Sequence, residues 1–121
     1  MNEKGSRLED YLANMEIASL DACSFVEGMS KAEFLSDKKT QNAVVMSLVI
    51  IGEAASRITE VAPDFIEEHT HVPWRAMRGM RNRITHGYFG TDFVLVWETV
   101  QSALPELINQ LPAQKAAARK F

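Results

Sequence analysis

The chain has 121 residues, 46% of them hydrophobic, and a formal net charge of −3. That size fits one domain, and the apolar content excludes a disordered chain. A lone cysteine, Cys23, excludes an internal disulfide, and Cys23, His69, His71 and His86 lack the spacing of a zinc site, so no metal is expected. In chain order, Leu8, Tyr11, Leu12, Met15, Ala18, Ala22 and Val26 recur with helical spacing and predict a helix from about Ser6 to Glu27, ended by Gly28. Nothing in Met1-Asn2-Glu3-Lys4-Gly5-Ser6 forms the apolar core of a signal peptide. Ser30-Lys31-Ala32-Glu33 has the form of a capping box opening a short helical turn.

Asp37 is placed to cap a long helix reaching about Thr59. Its middle, Ala43 to Ile51, is apolar nearly all round and rich in β-branched residues, as a strand could be; Glu53-Ala54-Ala55 and the overall length favour helix. The run is far short of the roughly 20 residues that cross a bilayer, so the expectation is a cytoplasmic protein without membrane contact. The small residues Gly52, Ala54 and Ala55 would admit a second helix at close range. Glu53 follows this run and is open to two readings: a core-edge residue facing solvent, or a carboxylate holding an arginine in place.

Pro63 suits the first turn of a short helix to Glu68, and Pro73 the start of another running to about Thr85, with Gly87 ending it. Thr91 or Asp92 can cap the last long helix, which Pro105 should kink or divide and Pro112 should end. Residues 113–121 show little apolar pattern and are expected to fray, leaving a core of about 7–112 in a single domain spanning 1–121. Helices joined by short loops predict an all-α, up-down bundle of about four main helices with short extra ones.

The charge is unevenly spread. Between Glu68 and Asp92 there is no acidic residue, yet this window holds four of the seven arginines and all three histidines. On a wheel of 100° per residue, Met77, Met80 and Ile84 take one side of the helix, and Arg75, Arg78, Asn82 and His86 the other. Arg81 lies about 140° from His86 while the helix stays regular, so the two converge only if it ends early, as Gly87 permits, or if a second subunit completes the site. Arginine and histidine together suit metal-free RNA cleavage. An imidazole moves protons near neutrality, and a guanidinium braces a phosphorane. By spacing alone, His86 could equally be a cap that offsets the helix dipole. Arg75, Arg78 and Arg83 could meet RNA phosphates, or be solvated or paired. Trp74 and Trp97, at helical spacing beside methionine and valine, read as core rather than base-stacking platforms.

The segment Arg81-Asn82-Arg83-Ile84-Thr85-His86-Gly87-Tyr88 resembles the R-x4-6-H-x-Y signature of HepT-like proteins, helical RNases of the HEPN superfamily. Gly52-Glu53-Ala54-Ala55, Pro73-Trp74, Met77-Arg78-Gly79-Met80, His86-Gly87-Tyr88-Phe89, Val96-Trp97 and Leu104-Pro105-Glu106-Leu107 stand in family order, and the likeness covers about residues 7 to 112. The resemblance implies a helical homodimer with the signatures near the two-fold axis, and the toxin half of a toxin–antitoxin pair. It implies Arg81 and His86 as catalytic pair, Asn82 as a polar residue shaping the site, and no cofactor. It also implies an MntA-like nucleotidyltransferase antitoxin that transfers AMP to the Tyr88 hydroxyl. An added phosphodiester there would compete for Arg81 and repel an RNA phosphate. The competing expectations are a non-catalytic helical partner of such a nucleotidyltransferase, and a dimer whose arginines only join subunits.

Overall fold

Four stretches with apolar residues at the helical period become four helical rods. The computed structural model describes residues 3–121, less the side chains of Glu3, Lys4 and Phe89; Met1 and Asn2, where the stretch without an apolar leader begins, lie outside the described residues. The chain forms α1 (Glu3–Phe25), α2 (Lys31–Leu35), α3 (Lys38–Val61), α4 (Pro63–Glu68) and α5 (Trp74–His86). A 3-10 turn (Tyr88–Gly90), α6 (Phe93–Glu98), a π turn (Thr99–Ala103) and α7 (Leu104–Arg119) complete it. The last three run on without a break and make one rod. Among the described residues there is no strand, so the all-α expectation holds. No described helix is long and apolar enough to cross a membrane.

Local chemistry sets the boundaries. Gly28 takes φ +78°, a left-handed turn that favours glycine, just beyond the end of α1. The capping box forms at α2: the Glu33 N–H donates to Ser30 Oγ, and the Ser30 N–H to Glu33 Oε1. Asp37 caps α3 by accepting from the Thr40 N–H at 3.0 Å, a bond that holds its carboxyl below the usual aspartate range. Of the two candidate caps for α6, Asp92 serves, accepting from the N–H groups of Val94 and Leu95.

The ambiguous run Ala43 to Ile51 is helical because α3 is the central rod. It packs on α1 along one side and on α5 along another, burying Val44, Val45, Leu48 and Ile51. Contacts from Cys23 Sγ to the Val100 carbonyl and from Lys115 Nζ to Glu16 set α1 antiparallel to the terminal rod. Leu8, Leu12, Met15, Ile58, Phe65 and Leu111 form the dry centre of the core. Trp74 is 3% exposed and half-buried Trp97 stacks at 5.4 Å on Phe34, so both indoles pack in or against the core.

The two late prolines behave differently. Pro105 follows the π turn, whose wider loop ends with the Leu104 N–H bonding to the Thr99 carbonyl, so the helix type changes just before the residue that lacks a donor. Pro112 does not end the helix, against expectation: α7 continues to Arg119. An interior proline costs about 3 kcal/mol. Burial of Ala118 and packing of the Phe121 ring edge-on at 5.5 Å against Phe65 act against that cost. Residues 113–121 therefore belong to the helical framework. A chain ended at residue 112 should lose on the order of 2 kcal/mol or more in urea denaturation; an unchanged midpoint would show that the segment adds nothing.

Candidate active site

The site begins with how closely α5 lies on α3. Met77 and Ile84 bury the apolar side of α5, with Met80 half-buried beside them. At the crossing, a Cβ on Gly52 would stand 2.2 Å from Arg81 Cβ and 2.7 Å from the Met77 carbonyl oxygen. Only a hydrogen fits there, so glycine is what lets α5 approach.

That contact carries Arg81 onto α3. Its Nη2 lies 2.8 Å from Glu53 Oε2, and its Nη1 donates to Asn82 Oδ1 at 2.8 Å. Glu53 also receives Arg57 Nε at 3.1 Å, so one carboxylate holds two guanidinium groups. Arg81 and Glu53 keep side-chain exposures of 32% and 38%, which leaves the guanidinium reachable from solvent.

α5 stays helical through His86, so the early end that Gly87 would have permitted does not occur; Gly87 follows as the C-cap. The offset of about 140° between Arg81 and His86 therefore persists within the protomer. His86 is exposed, and its imidazole makes no hydrogen bond or ion pair among the described residues. Asn82, one turn earlier, is engaged with Arg81 rather than with His86.

Tyr88 goes elsewhere. It opens the 3-10 turn, is 39% exposed, and its hydroxyl donates to Asn42 Oδ1 near the start of α3. Asn42 and Glu53, the α3 partners of Tyr88 and Arg81, are separated by about 16 Å along the helix at about 1.5 Å per residue. Sequence reasoning missed Asn42, because an asparagine ahead of an apolar run looks like an ordinary solvated residue.

Arg75 and Arg78 join Arg81 and Asn82 along a cleft of about 450 Å³ between α5 and α3, faced by Ser56, Thr59 and Glu60. Arg83 does not line it; exposed on another side of α5, it borders hollows lined also by Met80, Leu95 and Asp92. His69 and His71 are used structurally: His69 Nδ1 lies 2.8 Å from the Phe65 carbonyl, and His71 Nε2 lies 3.1 Å from Gln114 Nε2. No group of three His, Cys, Asp or Glu side chains among the described residues could hold a metal ion.

The comparisons with known proteins agree on a family. Residues 6–113 match the family described as Ribonuclease HepT-like. A protein of Methanocaldococcus jannaschii, named as a candidate RNase, is 39% identical over 104 residues, 86% of this chain and 80% of its own. The probable ribonuclease HepT of Thermococcus cleftensis is 40% identical over 99 residues, covering 82% and 87% of the two chains. A candidate RNase of Caldanaerobacter subterraneus subsp. tengcongensis is 38% identical over 96 residues, 76% and 83%. No solved structure matches significantly. The chain belongs to the HepT-like ribonuclease family.

Two glycines on the facing helices give opposite expectations. Gly52→Ala should destabilise the fold by about 1–3 kcal/mol, since the crossing must open. Gly79, with nothing within 4 Å of an added Cβ, should gain about 0.5–1 kcal/mol as Gly79→Ala. Equal responses of the two in thermal melts would refute the close-approach argument.

Proposed function

We propose that this chain is a metal-independent endoribonuclease, the toxin of a toxin–antitoxin pair, with Arg81 and His86 as its catalytic residues. The observation that carries this reading is the contrast between them: Arg81 is fixed by Glu53 and Asn82, while His86 stands exposed without a hydrogen bond among the described residues. A pre-aimed guanidinium suits a developing phosphorane, and an uncommitted imidazole suits proton transfer. In the reaction, the 2′-oxygen forms a bond to the adjacent phosphorus as the bond from phosphorus to the 5′-oxygen breaks. One group accepts the 2′-hydroxyl proton and another protonates the leaving 5′-oxygen, giving a 2′,3′-cyclic phosphate. Arg81 balances the charge of the crowded phosphate, Asn82 steadies Arg81, and Glu53 supports it from behind.

A homodimer follows from the same face. Met46 and Ile50, one turn apart on α3, are 59% and 41% exposed and lie between Asn42 and Glu53. A two-fold axis crossing α3 near Leu48 would lay this stripe on its copy, antiparallel. It would bring the Tyr88 end of one protomer to the Arg81 end of the other, and supply two histidines, one for each proton transfer. On this reading, an MntA-like nucleotidyltransferase silences the enzyme by transferring AMP to Tyr88, where the added phosphodiester faces Arg81 across the interface.

In RNA digestion with EDTA present, His86→Ala and Arg81→Ala should each lower cleavage by about 10²–10⁴-fold. Both variants cutting as fast as the parent would end the nuclease reading, and a parent that binds a nucleotidyltransferase but never cuts would favour the non-catalytic partner. The double change Met46→Glu, Ile50→Glu should yield monomers by light scattering and lose cleavage. Intact mass should rise by one or more AMP groups when the antitoxin and ATP are present, and should not rise for Tyr88→Phe.

A further inference from the structure

The cleft beside Arg81 extends toward the start of α5, well past the catalytic pair. Arg75, Arg78, Asn82 and His86 fall on one side of that helix and make a track about 16 Å long. Arg81 and Asn82 stand midway, and Arg78 and Arg75 lie beyond them in the cleft of about 450 Å³.

The two outer arginines, Arg75 and Arg78, have no ion-pair partner and no side-chain hydrogen bond among the described residues. The Nε of Arg78 is buried with no partner at all. The one acid lining the cleft, Glu60, is engaged by Arg57 Nη1 at 3.3 Å. The terminal nitrogens of both guanidinium groups have no protein acceptor among the described residues, and ligand oxygens would supply one. Opposite, Ser56 offers a hydroxyl from α3.

We infer that this part of the cleft is a second phosphate subsite, which holds a non-scissile phosphodiester of single-stranded RNA through Arg78 and Arg75. Arg75 and Arg81 are about 9 Å apart along α5, a span that one phosphate group does not cover and successive phosphates of a strand do. The strand therefore lies along α5, with the scissile linkage toward His86 and the flanking phosphate toward Trp74. Base identity is not read at this subsite, since guanidinium contacts to phosphate position a strand without reporting its sequence. Arg83, although in the same basic segment, lies outside the cleft, bordering a hollow with Asp92, and takes no part. The inference rests on the ribonuclease reading for its ligand but predicts binding, which is measured without cleavage.

The test is fluorescence anisotropy with a labelled 2′-O-methyl oligoribonucleotide, which cannot be cut, titrated at several salt concentrations. Arg78→Ala and Arg75→Ala should each weaken binding several-fold and flatten the slope of log K against log salt by about 0.7 per lost contact. Arg78→Lys should keep the slope, because the charge remains. Arg83→Ala should alter neither quantity, and thermal melts of all variants report on folding. If Arg75→Ala and Arg78→Ala behave like Arg83→Ala while the parent cuts RNA, the subsite is wrong and the nuclease reading stands. If the parent binds in an Arg78-dependent way but never cuts, the subsite stands and the nuclease reading falls.

Discussion

The approach of α5 to α3 at Gly52 is the constraint from which the site follows. With any side chain there, the Arg81 Cβ and the Met77 carbonyl would have to move outward. Moving α5 outward would carry Arg81 away from Glu53 and widen the cleft that contains Arg75 and Arg78. Just past the end of α5 the 3-10 turn returns to α3, where Tyr88 meets Asn42. One face of α3 thus carries both anchors, with Met46 and Ile50 between them.

The Glu53–Arg81 pair serves placement more than stability. Both side chains are about a third exposed, at 38% and 32%, and pairs of that kind contribute about 0.2–1 kcal/mol. Burial of Leu8, Leu12, Met15 and their neighbours, at about 1.5–3 kcal/mol per large side chain, stabilises the fold far more. What the carboxylate does is limit the rotamers open to Arg81. Two contacts at 2.8 Å hold a long, flexible side chain that would otherwise sample many positions.

The helical framework was legible because apolar spacing in α1, α3 and α5, with Ser30, Asp37, Pro63 and Gly28 as punctuation, reflects local physics that acts in any context. Pro112 misleads because its penalty is local, whereas the burial of Ala118 and the Phe121–Phe65 contact that act against it are tertiary. The site was legible as a list of residues rather than as an arrangement. Arg81, Asn82, His86 and Tyr88 were picked out as one contiguous segment, yet Tyr88 pairs with Asn42 and Arg81 with Glu53, at opposite ends of a face on another helix. No wheel drawn for α5 alone contains that separation. Nor does it show that Arg83 leaves the cleft that Arg75 and Arg78 line, since that depends on which neighbours each side of α5 meets.

The regular end of α5 bears on how such a site could work. Because the helix continues through His86, the imidazole shares a side with Arg78 and Arg75, while Arg81 leans toward α3. A protomer therefore offers a cationic track with a titratable group at its end and a fixed guanidinium on its flank. On the proposed reading, a strand lying on the track would pass Arg81 sideways, and the second proton-transfer group would come from a second copy seated on the apolar stripe of Met46 and Ile50 beside Glu53. Apolar contact would then hold the copies together, leaving Arg75 and Arg78 for the anion, a division of labour that suits an acidic protein with one basic cleft.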